Sequence, residues 1–317
     1  MIIGVEGLGA VGLRVARELI ETAGVEVVLR SSRPQRLDEA VEALGPRSRP
    51  WTESTQEPST VVLCTAAGSH AAAARAHVMA GRSVVSTSDH GPDIDGLLAL
   101  DADARSAGVT VSVGVAFSPG LSCVLARHAA DALDEVSLVR VAMIGAGGPA
   151  CLRRRREALG STGRELVDSN WTTEPSGPTN ELVWFPDPIG PTDCERGALA
   201  EPTLLHRALP TASSISARSA VPPARGFSIG RRRPVTEAVG AIRVEVSGQR
   251  NGTEETIIYA VVDRPSLAAG TLAAVVATAS PAPLGASGLA ERSYARAVLG
   301  ELARRGVKAA VYDPSTE

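Results

Sequence analysis

Ser88, Asp89 and His90 come one residue after a short apolar run that ends at Ser86. Histidine changes charge near neutral pH, so His90, with Asp89 beside it, is a candidate proton donor for a reduction. Asp89 or Asp93 equally suits the cap of a following helix. Far upstream, Gly7-Leu8-Gly9-Ala10-Val11-Gly12 spells G-x-G-x-x-G between an apolar run and a helical pattern. In that context Gly7 allows a tight turn and Gly9 lets backbone approach a pyrophosphate. Gly12 brings helix and strand close, and the helix N-terminus offers N–H groups to the phosphates. The next apolar run ends Leu29-Arg30-Ser31-Ser32-Arg33, with Arg36 just beyond and no acid where an NAD site places one. Guanidinium groups and hydroxyls suit a 2′-phosphate, so the expected cofactor is NADP, ahead of NAD. Glu6 is discordant: it brings a negative charge close to the pyrophosphate unless it points to solvent.

The remaining candidates sit in later loops. Thr65, Ala66, Ala67, His70 and Ser88 are expected to line the cofactor, although His70 can also be a plain first-turn helix residue. Pro119 and Gly120 open a helix whose N–H groups suit a substrate carboxylate. Arg153 and Arg154, in a run of four arginines, can clamp an anion; four consecutive positions spread around a helix, so some must face solvent or a subunit interface. Trp184 can wall a substrate pocket, or belong to a structural proline-rich loop. Cys64, Cys123, Cys151 and Cys194 lie too far apart for zinc spacing, and no metal is expected.

These residues need a scaffold. Apolar runs at 1–6, 25–29, 60–65, 83–86 and 109–113 alternate with helical patterns at 13–20, 34–44, 69–80 and 93–107, which predicts a doubly wound parallel sheet. A short strand near Trp51 also fits. Ligands in such sheets bind beyond the carboxyl ends of the strands. The expected fold is therefore α/β: an N-terminal Rossmann domain, 1–118, then an α+β domain with a mixed or antiparallel sheet, 119–265. A tail, 266–317, holds helices at 266–279 and 288–305 and a last strand at 307–312, and is expected to return to the first domain. In the second domain a helix is predicted at 121–133, a strand at 136–144 and a basic helix at 152–159. Residues 160–235 read as loop-rich, and Asn251-Gly252 between apolar runs signals a hairpin. Ile242, Val244, Val246, Ile257, Ile258 and Val261 suggest two apolar sheet faces and a homodimer. An active site is expected where the loops after 85 and 113 meet the second domain.

Composition narrows the function. The 317 residues are 44% hydrophobic and 21% charged with net charge −3, which suits two domains and gives no support for nucleic-acid binding. No apolar run reaches membrane-span length and no signal peptide is evident, so a cytoplasmic protein with free thiols and a small-molecule substrate is expected. The single lysine is Lys308. That excludes the Tyr-x-x-x-Lys arrangement of short-chain reductases and the Glu-Lys-Pro signature of many sugar dehydrogenases.

Three segments together resemble the saccharopine dehydrogenase-like family. They are Val61 to Asp89, the loop Gly114-Val115-Ala116-Phe117-Ser118-Pro119-Gly120-Leu121, and Glu201 to Pro210. The group includes saccharopine reductases and carboxynorspermidine synthases; diaminopimelate dehydrogenase is a more distant likeness. The resemblance implies reduction of an imine, or oxidation of an amine, at an amino-acid carbon with NADP(H) or NAD(H). Family members often carry Asp before Pro-Gly, where this sequence has Ser118. A non-catalytic NADP-binding sensor or assembly factor, and a sugar or aldehyde dehydrogenase on the same scaffold, are the competing readings.

Overall fold

The computed structural model describes residues 1–175, 181–221, 238–279 and 283–312. The chain divides into two compact units: Met1–Leu121 with Ser266–Tyr294, and Ser122–Pro265 with Ala295 onward. The first unit contains β1 (Ile2–Glu6), α1 (Ala10–Glu21), β2 (Glu26–Arg30), α2 (Pro34–Leu44) and β3 (Ser48–Pro50). It continues with β4 (Thr60–Leu63), α3 (His70–Met79), β5 (Ser83–Ser86), α4 (Gly91–Leu98), α5 (Asp101–Ser106) and β6 (Thr110–Val113). From the tail come α9 (Pro265–Thr278) and β15 (Gly285–Gly288). The seven strands form one all-parallel sheet in the order β15-β6-β5-β4-β1-β2-β3. Ile3, Val5, Val61, Val62, Leu63, Val84 and Val111 are buried, as a sheet covered on both faces requires. The strand order reverses between β1 and β4, which sets the ligand crevice beyond their carboxyl ends.

Two elements depart from expectation in this unit. The helix expected over 93–107 is two helices, α4 and α5, parted at Ala99-Leu100 where Leu100 turns into the core. Asp101 then accepts the Ala286 N–H at 2.8 Å and ties α5 to β15. The helix expected over 288–305 is instead strand β15, a 3-10 turn at Leu289–Glu291, and α10 (Ala295–Arg304).

The second unit contains α6 (Leu121–Ala130), β7 (Glu135–Ile144), α7 (Pro149–Leu159), β8 (Gly163–Val167), β9 (Asn170–Glu174), β10 (Glu181–Phe185) and β11 (Gly190–Cys194). It goes on with α8 (Glu201–Ala208), β12 (Ser214–Ala220), β13 (Gly240–Arg250), β14 (Thr253–Asp263), α10 and β16 (Ala310–Val311). Its main sheet runs β16-β14-β13-β7-β12-β8-β9 and is mixed, with β7 and β12 parallel and the other pairs antiparallel. β10 and β11 form a separate antiparallel ribbon. The β13–β14 hairpin turns on Asn251 (φ 52°) and Gly252 (φ 75°), the two left-handed positions that Asn-Gly supplies.

The stretch expected to be loop-rich therefore carries β8 to β12 and α8. The tail is shared: Ser266–Tyr294 groups with the first unit, whereas β16 pairs with β14 in the second. The Arg231–Arg233 run lies outside the described residues. Ile242, Val244 and Val246 are fully buried on one face of β13. On the other face Arg243 and Glu245 pair, with Arg140 3.3 Å from Glu245, whereas Ala241 is buried with Ala142, Ile144 and Phe185 against the β10–β11 ribbon.

Candidate functional site

β1 delivers the chain into Gly7, whose φ of +92° and contact with the Cys64 backbone leave no room for a side chain. A Cβ on Gly12 would collide with the Gly7 carbonyl oxygen, so this glycine sets how closely α1 packs on β1. Gly9 differs: its φ is −81° and nothing lies within 4 Å of a Cβ placed there. That position stands open at the start of α1. The first turn of α1 holds no acidic residue, so its N-terminal partial charge is uncompensated by the helix itself. Leu8, Ala10 and Val11 complete the loop.

At the carboxyl end of β2, Arg30 lies in register with Glu6 of β1 and donates from Nη1 to Glu6 Oε1 at 2.7 Å. Glu6 does not point to solvent. It is 8% exposed and also meets His77 Nε2 at 3.3 Å. Burial pushes its carboxyl up, but His77 and Arg30 outweigh burial and hold it below the usual carboxylate range. The Arg30 guanidinium lies 3.9 Å over the Trp51 ring, and Trp51 stacks on His77 at 5.7 Å. Arg36 donates to the Leu8 carbonyl at 3.2 Å, linking this turn to the glycine loop. Ser31 Oγ accepts the Arg33 N–H at 3.1 Å, and the Ser32 and Arg33 side chains are exposed. Trp51 and His77 escape a linear reading, because only sheet register and the packing of α3 bring them to Glu6.

Beyond β4 and β5 the loops are built around Asp93. Its Oδ2 accepts the Gly68 N–H at 2.6 Å and the Ser88 hydroxyl at 2.7 Å; its Oδ1 accepts the His70 N–H at 3.1 Å. A carboxylate of α4 thus caps α3. Burial opposes its charge, but the Gly68 N–H and the Ser88 hydroxyl, with further help from His70 and Ala71, hold its carboxyl below the usual range. Thr65, Ala66 and Ala67 lie exposed on the loop after β4, open to a ligand. His70 does not: it is 1% exposed, with Nδ1 at 2.9 Å from Ser86 Oγ and Nε2 at 3.1 Å from the Thr65 carbonyl. It braces the loop from beneath, and burial keeps the imidazole below its ordinary pKa, hence neutral. Ser88 is also buried, with its hydroxyl spent on Asp93, so it shapes the turn rather than facing a ligand. His90 is half-buried, with Nδ1 3.8 Å from Asp93 Oδ2. Asp89 is half-buried beside it.

The Pro119-Gly120 loop is tight and buried. Ala116 N–H bonds the Pro119 carbonyl at 2.9 Å, and Leu121 N–H bonds the Ala116 carbonyl at 3.0 Å, so the first donor of α6 is already used. In the second unit Arg153 is exposed, Arg154 sits 3.6 Å from Glu157, and Arg155 is buried, the spread expected of four consecutive helical positions. Trp184 is 49% exposed on β10, between inward-facing Val183 and Phe185. Cys194 is buried, and burial pushes its thiol up to about 12, which rules out thiolate chemistry there. No metal-binding cluster occurs among the described residues, and none of their helices is long and apolar enough to cross a membrane.

No family model matches the chain, and no curated protein matches its sequence. Solved structures do. Saccharopine dehydrogenase (L-Glu forming) from Saccharomyces cerevisiae superposes with a TM-score of 0.74 at 12% identity, over 98% of this chain and 100% of that one. An amine dehydrogenase from Mycobacterium smegmatis gives 0.56 at 14% identity, over 92% and 95%. The diaminopimelate dehydrogenase of C. glutamicum, solved with diaminopimelate, gives 0.51 at 14%, over 97% and 99%. The α/β architecture read from the glycine loop and the strand–helix alternation is the fold these dehydrogenases share.

Proposed function

We propose that the chain is an NADP-dependent oxidoreductase that transfers hydride at a carbon of a small amino-acid-derived or carboxylate substrate. The observation that carries this reading is the glycine loop. Gly7 and Gly12 are locked by backbone contacts, while Gly9 stands open at the start of a helix, at the strand-order switch of a parallel sheet. Gly7 to Gly12 would hold the pyrophosphate, and Arg30 and Arg33 the 2′-phosphate. Thr65, Ala66 and Ala67 line the way toward the nicotinamide half. When bound, the nicotinamide supplies or accepts the hydride.

His90 is the residue assigned to the proton. Its Nδ1 faces Asp93, so the proton that leaves or arrives does so at Nε2. The Asp93 carboxylate, fixed by backbone and hydroxyl donors, lies 3.8 Å from Nδ1, beyond hydrogen-bond distance, and acts on the ring through its charge alone. Asp89 beside it stays the second candidate. Pro119 and Gly120 are buried and Arg154 is beside Glu157, so the exposed Arg153 and Trp184 remain the candidates for substrate recognition; we propose a homodimeric, cytoplasmic enzyme. The dimer claim is checked by its mass in light scattering.

The decisive experiment pairs cofactor titration with a substrate screen. NADPH should bind more tightly than NADH. A screen of amino acids, and of 2-oxo acids or aldehydes with amines, should yield turnover that His90→Ala lowers by about 100-fold or more, with NADPH affinity unchanged. Unaltered turnover in His90→Ala rejects its role. Tight NADPH binding without any turnover would favour a non-catalytic sensor.

A further inference from the structure

Arg30 is held from two directions by residues that the cofactor reading does not need. Its Nη1 is tied to Glu6 at 2.7 Å, and its guanidinium plane lies 3.9 Å from the centre of the Trp51 ring. Trp51 is itself buried and packed on several sides. Its N–H bonds the Leu29 carbonyl at 2.8 Å, His77 stacks on it with planes 21° apart, and a Cβ on Gly4 would meet its ring at 2.9 Å. Glu6 is equally fixed, its Oε1 shared between Arg30 and His77. The Arg30 side chain is nonetheless 50% exposed, and its Nε and Nη2 donors carry no hydrogen bond to another described residue. One face and one nitrogen are thus fastened to rigid groups, and the other edge is free.

An arginine in a surface turn ordinarily spends rotamer entropy when it grips a phosphate. Here that ordering is done before the ligand arrives. We infer that Trp51 is a specificity-determining positioning residue: the plate on which Arg30 is held so that its free edge meets a 2′-phosphate. The inference rests on the dinucleotide reading above. Glu6 completes the clamp at an electrostatic cost, since its charge offsets that of Arg30; Arg33 and Arg36 keep the turn net positive. Arg82, 5.4 Å from the Trp51 ring, is occupied by Glu57 at 2.7 Å.

The test is the ratio of NADH to NADPH dissociation constants in the wild type, Trp51→Leu, Trp51→Phe, Arg30→Met and the Arg30→Met/Trp51→Leu double variant. Trp51→Leu should cut the preference for NADPH about three- to tenfold, the size of ordering one long side chain, and leave NADH affinity alone. Trp51→Phe, which keeps a ring under the guanidinium, should retain most of it. In the Arg30→Met background the second substitution should add nothing. An unchanged ratio in Trp51→Leu, equal losses for both cofactors, or the same loss without Arg30 would each overturn the inference. Should Trp51→Leu not fold, Trp51 emission in a Trp171→Phe/Trp184→Phe protein decides: adenosine bearing 5′- and 2′-phosphates must shift it, and adenosine 5′-monophosphate must not. A wild type that binds both dinucleotides equally sinks the positioning role alone; one that binds neither removes the cofactor reading with it.

Discussion

His70 shows how a residue that suggests chemistry can be committed to structure. Its two ring nitrogens are used by Ser86 and Thr65, and burial depresses its pKa. The folded protein therefore excludes a proton that the unfolded chain binds below about pH 6.5. With more protons bound in the unfolded state, stability rises with pH across that window. His70's contribution is complete above about 6.5 and drains away as pH falls. Asp93, whose carboxyl is also lowered, adds a second loss only in the more acidic carboxylate range. Urea midpoints taken at about pH 7.5 and about pH 5.5 should fall further for the wild type than for His70→Gln, which cannot titrate. Equal falls would mean that His70 is protonated in the native state. The same chemistry corrects the sequence reading. A histidine after Gly68-Ser69 can be a ligand contact or a brace, and only the positions of Ser86 and Thr65 decide between them. His90 keeps its candidacy because its ring remains part-exposed.

At the scale of elements, the glycine loop lets packing be tested apart from the proposed dinucleotide binding, residue by residue. Gly9 has an ordinary φ and open space, so Gly9→Val should leave stability within about 0.5 kcal/mol of the wild type while removing dinucleotide binding. Gly12→Val, driven into the Gly7 carbonyl, should cost about 1–3 kcal/mol in urea unfolding. A Gly9→Val protein that still binds NADPH would mean that the pyrophosphate does not approach this backbone. Elements with a physical signature were legible in the sequence. The strands β1, β2, β4, β5 and β6 show as Val- and Ile-containing apolar runs, and the β13–β14 hairpin shows in Asn251-Gly252. The others lack such a signature. β15 is Gly-Ala-Ser-Gly, which carries no apolar alternation and is a strand because β6 offers it an edge. β10 and β11 are short and hold Pro191, so they read as loop although they bury Val183, Phe185 and Cys194. The Glu6–Arg30–Trp51–His77 cluster draws on β1, β2, α3 and the residue after β3, a conjunction no spacing reveals.

The whole chain is two units threaded twice, since Ser266–Tyr294 returns to the first unit before the chain passes back to the second. The first unit holds one parallel sheet of apolar runs; the second holds a mixed sheet whose Ala142 and Ile144 form a buried cluster with Phe185 of the β10–β11 ribbon. Ligand linkage exposes this division. If a dinucleotide is held by Gly7 to Gly12 and by the β2 turn, as proposed, it adds stability only to states in which the first sheet is intact. At about 100 times its dissociation constant that is about 2.7 kcal/mol. Hydrogen exchange with saturating NADPH should therefore slow the amides of residues 7–13 and 30–36 and of β4 and β5, while β13 and β14 keep their ligand-free rates. Equal slowing of β13 and β14 would show that the two units open as one cooperative body, because amides that exchange only through global unfolding report the full binding energy wherever they lie. Protection confined to the first unit would make it a separate folding unit and confirm that the dinucleotide is held by its loops alone. No protection anywhere, at concentrations that saturate a typical dehydrogenase, would reject the glycine loop as a dinucleotide site.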